Sequence, residues 1–191
     1  MAIAFFEVKM RNIFIDCGYY DGRSIARFKK MKEFSSKKFE IFAFEASELI
    51  RNYSNIKKHN VDLIKAAVWV EDGLVDFFES ARRRGQANSV FKNPNASRRE
   101  KSRRVKSIDF SKWIKDNFSK EDFIVLKMDI EGAEYQVLNK MLKDKTLEFI
   151  DIAFIEYHYE RISDIGADKF RKLRKEMSEK TSVDFRKAIE W

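Results

Sequence analysis

The stretch Ile13-Phe14-Ile15-Asp16-Cys17-Gly18-Tyr19-Tyr20-Asp21-Gly22 decides the fold. Its apolar, β-branched and aromatic start reads as a buried strand, which ends in an acid and two glycines spaced D-x-G-x-x-x-G. Beyond the second glycine, Ile25, Phe28 and Met31 recur every three residues, with Ser24 placed as the N-cap of a helix. Strand, glycine loop and helix make a ligand-binding unit, because glycine permits close approach of a ligand to the backbone and a helix N-terminus offers free N–H groups. The spacing is not the G-x-G-x-x-G of a dinucleotide site, which argues against a nicotinamide-dependent oxidoreductase.

The next apolar run, Phe39 to Phe44, ends in Glu45, about 20 residues beyond the glycine loop, where a doubly wound nucleotide-binding domain places a carboxylate for two ribose hydroxyls. Further along, Val61–Val70 reads as a third strand and Val75–Ser80 as another, joined by a tight turn at Asp72-Gly73. Periodicity then disappears from Ala81 to Arg104, a stretch holding the chain's one proline, Pro94, and its densest positive charge. A long basic loop is expected there, closing over a site and attracting an anionic acceptor.

Ser111–Phe118 reads as a helix with Trp113, Ile114 and Phe118 inward. Phe123–Met128 is a strong strand running into Asp129-Ile-Glu131-Gly132-Ala-Glu134, and Val137, Leu138, Met141 and Leu142 then share one helical face. In an extended backbone Asp129 and Glu131 point to the same side. Phe149–His158 is apolar on both faces, as a central parallel strand is, and Glu156 and His158 close it. Ala167–Lys180 patterns as a basic helix with Phe170, Leu173 and Met177 on one face, and Val183–Trp191 as a last edge strand.

Ligands in open α/β sheets sit outside the carboxyl ends of the strands, so Asp16, Gly18, Glu45, Asp129, Glu131, Glu156 and His158 are expected around one crevice. The order of these motifs, with Lys127-Met-Asp-Ile-Glu-Gly-Ala-Glu134 and Ile155-Glu-Tyr-His158, resembles the FkbM family of S-adenosylmethionine-dependent methyltransferases from about Ile13 to His158. The resemblance implies a Rossmann-like class I methyltransferase fold, a mostly parallel seven-stranded sheet with helices on both faces. An antiparallel edge near the C-terminus is expected as well. It implies methyl transfer to a hydroxyl oxygen of a sugar or related small molecule. It makes Asp16, Gly18, Tyr19 and Gly22 the methionine-side loop, Glu45 and Ala46 the ribose side, and the Ala66-Ala67 segment the adenine wall, with Asp129 and Glu131 completing the cofactor pocket. Asn88-Ser89 resembles the family's short serine-containing stretch near the site. The chain departs from the family in having Tyr19 and Tyr20 where a small residue and Asn are common, and Phe44-Glu45-Ala46 where F-E-P is usual.

Methyl transfer needs an aligned acceptor oxygen and a group to take its proton. His158 is the candidate base, with Glu156 or Asp129 orienting it or the acceptor. An alternative set, Asp129, Glu131 and Glu156, would hold a divalent cation such as Mg²⁺. Glu134 is expected to begin a helix.

Composition sets the remaining limits. The chain has 191 residues and 44% hydrophobic content, which suits one domain, 1–191, with a sizeable core. The opening residues lack a basic export leader and one cysteine permits no internal disulfide, so a soluble cytoplasmic protein is expected. Lys+Arg of 39 against Asp+Glu of 31 leaves +8, which keeps nucleic acid as the rival acceptor and a non-catalytic binding module as the rival class.

Overall fold

The computed structural model describes residues 10–48, 50, 52–79, 88–92, 101–158 and 166–187. From the first motif the chain runs β1 (Asn12–Cys17), α1 (Arg23–Phe28), β2 (Glu40–Phe44), α2 (Tyr53–His59) and β3 (Val61–Ile64). Next come β4 (Ala67–Trp69), β5 (Gly73–Glu79) and β6 (Lys101–Asp109), then α3 (Phe110–Asn117), β7 (Phe123–Met128) and α4 (Glu134–Lys143). A 3-10 turn, Thr146–Phe149, leads to β8 (Ile152–Ile155), α5 (Ala167–Lys180) and β9 (Asp184–Lys187).

Six strands form one sheet in the order β3-β2-β1-β7-β8-β9, and every neighbouring pair is parallel. The chain winds outward from β1 to β3, then returns to add β7 on the other side of β1. Winding therefore reverses between β1 and β7, and the crevice for a ligand lies at their carboxyl ends. This is the α/β architecture of a class I methyltransferase.

Alternation along β1 explains the layers. Ile13, Ile15 and Cys17 point into a core shared with Ile114 of α3, Leu138 and Met141 of α4, and Leu173 and Met177 of α5. Phe14 points the other way, into a core with Ile25 and Phe28 of α1. There Phe14 and Phe28 stack with ring centroids 3.8 Å apart and 8° between planes, a contact worth about 1 kcal/mol beyond its buried area. Helices thus cover both faces, and β1 and β7 are apolar on both sides.

Four expectations change. The C-terminal edge is parallel, not antiparallel: α5 crosses one face with Leu173 and Met177 buried, and a helical crossover returns the next strand in the same direction. Among the described residues the main sheet has six strands, not seven. Val61–Val70 is two strands, because the carbonyl of Ile64 accepts the N–H of both Glu45 (3.1 Å) and Ala66 (3.0 Å) and the chain turns there. β4 then joins a second sheet ordered β4-β6-β5, parallel to β6, while β5 pairs antiparallel with β6.

The basic stretch 81–104 is also shorter as a loop than expected, since Lys101–Arg104 belong to β6. Residues 81–87 and 93–100, with Arg82–Arg84 and Pro94, lie outside the described residues, as does Trp191. No helix among the described residues is long and apolar enough to cross a membrane.

Candidate functional site

Beyond Cys17 the chain turns through Gly18 (φ 91°), Tyr20 (φ 47°) and Gly22 (φ 72°) into α1. A Cβ on Gly18 would lie 2.0 Å from the carbonyl oxygen of Asp129, so glycine is what lets the loops after β1 and β7 touch. A Cβ on Gly22 would lie 2.6 Å from the Tyr19 hydroxyl and 2.8 Å from its ring. Tyr19 packs beneath the loop, and burial raises its pKa to about 12, so the phenol stays neutral. Gly22 itself caps α1. Ser24, expected as the cap, is buried instead and donates its hydroxyl to Asp16 Oδ2.

Glu45, at the end of β2, is gripped by backbone. Tyr20 N–H donates to Oε2 (2.9 Å) and Ser47 N–H to Oε1 (2.7 Å). Burial raises the Glu45 pKa, and these two donors pull it back by favouring the carboxylate.

The β7 end is held by side chains. Lys127 lies 2% exposed inside β7, its Nζ 3.1 Å from Asp16 Oδ1 and 3.6 Å from Asp129 Oδ2, and it donates to the carbonyl of Gly18 (2.9 Å). Burial opposes its charge, but Asp16 and Asp129 outweigh burial and hold its pKa above the ordinary value. The chain then turns through Glu131 (φ 58°) and Gly132. Glu134 is fully buried at the start of α4 and closes that turn, accepting the N–H of Ile130 (2.9 Å) and Gly132 (2.9 Å). Ser89 braces it from the other side, donating Oγ to the carbonyl of Glu131 (2.6 Å).

His158 sits behind the turn. Its Nδ1 lies 3.1 Å from Glu134 Oε1, and its Nε2 lies 3.6, 3.7 and 4.0 Å from Glu156, Glu131 and Asp129. Burial disfavours its charge, but the hydrogen bond and charge of Glu134, with Glu131 and Asp129, outweigh it and push the pKa up to about 9. Burial and Asp129 raise the Glu156 pKa.

Between the two ends lies a cavity of about 340 Å³, within the range of small-molecule sites. One wall is Gly18, Tyr19, Tyr20, Glu45 and Ala46. A second is apolar, formed by Phe44, Ala66, Ala67, Val68, Phe77 and Val90, and the floor holds Lys127, Asp129, Ile130, Glu131 and Ala133. Asp21, Arg23, Ser24 and Asn88 complete it. Its charged lining is four acids, Asp21, Glu45, Asp129 and Glu131, against Arg23 and Lys127. Both bases are already ion-paired, Arg23 to Asp21 at 2.7 Å and Lys127 to Asp16. The cavity of a basic chain is therefore acidic.

The family model for the methyltransferase FkbM domain matches residues 16–186. The chain belongs to this family. No curated protein and no solved structure matches the chain. The family match runs from the end of β1 into β9 and includes every site residue named above.

Of the residues expected to form the FkbM site, Gly18, Tyr19, Glu45, Ala46, Ala67, Asp129 and Glu131 line the cavity. Asp16 and Gly22 stand one layer behind, supporting the loop. Asp129 and Glu131 do share a side, but through a turn after β7 rather than along an extended strand. Glu156 and His158 reach the back of that turn and are not in the cavity lining. The expected cation ligands Asp129, Glu131 and Glu156 do converge, and what they converge on is the Nε2 of His158.

Three supports had no expected role in the site: Ser24 was expected only as a helix cap, Glu134 only as a helix start, and Lys127 only as part of a motif. Lys127 was visible as a lone charge inside an apolar strand, the pattern of a buried, paired cation. Part of the basic charge is spent internally, since Arg103 binds Glu48 (2.9 Å), Glu79 (3.0 Å) and the carbonyl of Ala46 (3.1 Å).

Proposed function

We propose that this chain transfers a methyl group from S-adenosylmethionine to a hydroxyl oxygen of a sugar or related small molecule. The observation that carries the reading is Glu45, aimed into the cavity at the sheet's switch point and held by two backbone N–H groups. A carboxylate fixed in that way keeps lone pairs for a pair of vicinal hydroxyls, as a ribose presents.

The rest of the cavity fits the same cofactor. When bound, S-adenosylmethionine supplies an electrophilic methyl group on a cationic sulfur. Four acids in the lining suit a cationic ligand, and Gly18 lets the loops after β1 and β7 meet at the cavity. The Ala66–Val68 wall suits a flat apolar ring, and the backbone around Gly18 to Tyr20 suits the amino-acid end.

Asp129 takes the acceptor's proton. It lines the cavity, whereas His158 stands behind it and at neutral pH already holds a proton, so the base role expected of His158 passes to the carboxylate it supports. Lys127 holds Asp129 from below. Glu156 and His158 act through the turn, orienting it.

Calorimetric titration tests the reading. S-adenosylmethionine is expected to bind in the micromolar range, NAD not at all, and Glu45→Ala to weaken the methyl donor by about 2 kcal/mol, the loss of two charge-assisted hydrogen bonds partly replaced by water. Equal affinity of the folded wild type and Glu45→Ala would remove Glu45 from the cofactor site. With binding in hand, an acceptor screen over neutral sugars, anionic sugars and glycoconjugates, and RNA assigns the substrate.

A further inference from the structure

Along β6 the side chains of Arg103, Val105 and Ser107 turn inward, while Ser102, Arg104 and Lys106 are exposed. β5 runs antiparallel beside it, with Phe77 opposite Arg103 and Val75 opposite Val105, so these four share one face of the small sheet. That face closes the cavity. Phe77 lines it, and Phe77, Val105 and Ala67 make a small core with Ala46 packed against it. An arginine on such a face needs partners for its fork of donors. Beside the Phe77 ring, 6.0 Å from its centroid, the guanidinium gives each nitrogen a different one: Nε donates to Glu79 (3.0 Å), one Nη to Glu48 (2.9 Å) and the other to the carbonyl of Ala46 (3.1 Å). Arg104, one residue on, stays within its own sheet, with Asp76 at 3.7 Å and the carbonyl of Leu74 at 2.8 Å.

The Ala46 carbonyl matters because of what shares its peptide unit. That carbonyl and the N–H of Ser47 lie in one plane and point in opposite directions. A donor fixed on the oxygen therefore sets the aim of the N–H, which ends 2.7 Å from Glu45 Oε1. It also polarises the peptide, making the N–H a stronger donor.

We propose that Arg103 positions Glu45: its guanidinium holds the Ala46–Ser47 peptide so that the Ser47 N–H grips the carboxylate and keeps it aimed into the cavity. Arg103 is thus a positioning residue, and the small sheet buttresses the loop after β2. What Glu45 is aimed at rests on the methyl-transfer reading, but the hold on it does not.

Two neighbouring variants separate this role from a general effect of charge. Arg103→Met removes the fork and keeps an apolar stem, and Arg104→Met removes the same charge from the outward position. By amide hydrogen exchange of the protein alone, the Ser47 N–H in Arg103→Met should exchange at least about tenfold faster than in the wild type, the scale of one lost hydrogen bond to a charged group, while the amides of β1 and β7 keep their rates. Arg104→Met should leave Ser47 as in the wild type. An unchanged Ser47 rate in Arg103→Met would overturn the proposal. So would an equal rise in Arg104→Met, which would trace the effect to net charge, or a rise spread through β1 and β7, which would make Arg103 a prop of the whole fold.

A measurement on the wild type covers the case in which Arg103→Met does not fold. Acceptors on all three nitrogens block rotation about the Nε–Cζ bond, so nitrogen NMR should resolve the two Nη groups of Arg103 as separate signals, and one averaged signal would overturn the proposal. Calorimetry with S-adenosylmethionine carries the result to the cofactor: Arg103→Met should weaken binding about tenfold and Arg104→Met should not change it. A wild type that binds no S-adenosylmethionine would count against the proposed function alone, because the exchange and guanidinium readouts involve no methyl donor.

Discussion

At the β1–β2 end of the cavity polar groups are held by backbone, and at the β7–β8 end by other side chains. Glu45 takes N–H groups from Tyr20 and Ser47, whose positions follow from the glycine loop and the end of β2. Asp129, Glu131 and Glu134 depend on Lys127, His158 and Ser89, each of which is one substitution away from being lost. The first end is set by chain geometry. The second is an electrostatic assembly that responds to pH and to single changes. A site whose chemistry needs a fixed cofactor and an adjustable acceptor is well served by that division.

The harshest way to break the comparison is at the point where the two ends meet. Gly18→Ala puts a methyl group 2.0 Å from the carbonyl oxygen of Asp129, a backbone atom, at a φ of 91° that disfavours any side chain. Left-handed strain and overpacking each cost about 2 kcal/mol, so a loss of roughly 4 kcal/mol in urea unfolding is expected. Because the clash displaces both loops, cofactor binding should fall with stability. Intact binding in a destabilised variant would show that the β1–β2 end does not need the contact.

A smaller loss is expected from Lys127→Met, which fills the volume but leaves Asp16 and Asp129 without their cation. Breaking a buried pair costs about 3–5 kcal/mol, and the lower figure applies because Asp16 keeps the Ser24 hydroxyl and can take up a proton, toward which its burial already pushes it. Comparing urea unfolding of variant and wild type at pH 7 and at mildly acidic pH checks this. The gap should narrow as Asp16 protonates in the variant. A gap independent of pH would mean that Lys127 matters for packing and not for charge.

Much of the first end was legible in the sequence, and less of the second. A glycine loop announces itself through residue type, because few side chains tolerate the φ values at 18 and 22, and Glu45 could be placed by counting from the loop. The parallel sheet followed from apolar runs alternating with helical periods. The split of Val61–Val70 did not, because it depends on where the Ile64 carbonyl finds its donors and not on the apolar pattern. The direction of β9 was equally hidden, since it follows from the path of α5. At the second end the acids were evident as strand-end residues, but their partners were not. Whether His158 is a base or a cation depends on how many carboxylates surround it, and Glu131, Glu134 and Glu156 are brought to it by a turn and a strand crossing that spacing alone does not specify.

The smallest expected effect tests this second end without altering a residue. His158 titrates at about 9 in the folded chain against an ordinary 6.5, so the charged form is favoured by folding. A raised pKa contributes stability that is fully present below about 6.5 and is lost as pH rises through about 9, here about 2–3 kcal/mol for a group 13% exposed. The raised carboxyls Asp16 and Glu45 and the lowered His59 are shared by wild type and variant, so the comparison subtracts their contribution. On the upper side Cys17, whose burial raises its pKa, begins to contribute only near its ordinary value of 9.0. Urea unfolding from pH 6.5 to 9 should therefore show the wild type losing stability and His158→Asn nearly flat. Parallel slopes would place the titrating group elsewhere than the imidazole. A wild-type decline absent from the variant would tie the pH response to the imidazole, and so to the end of the cavity built from side chains.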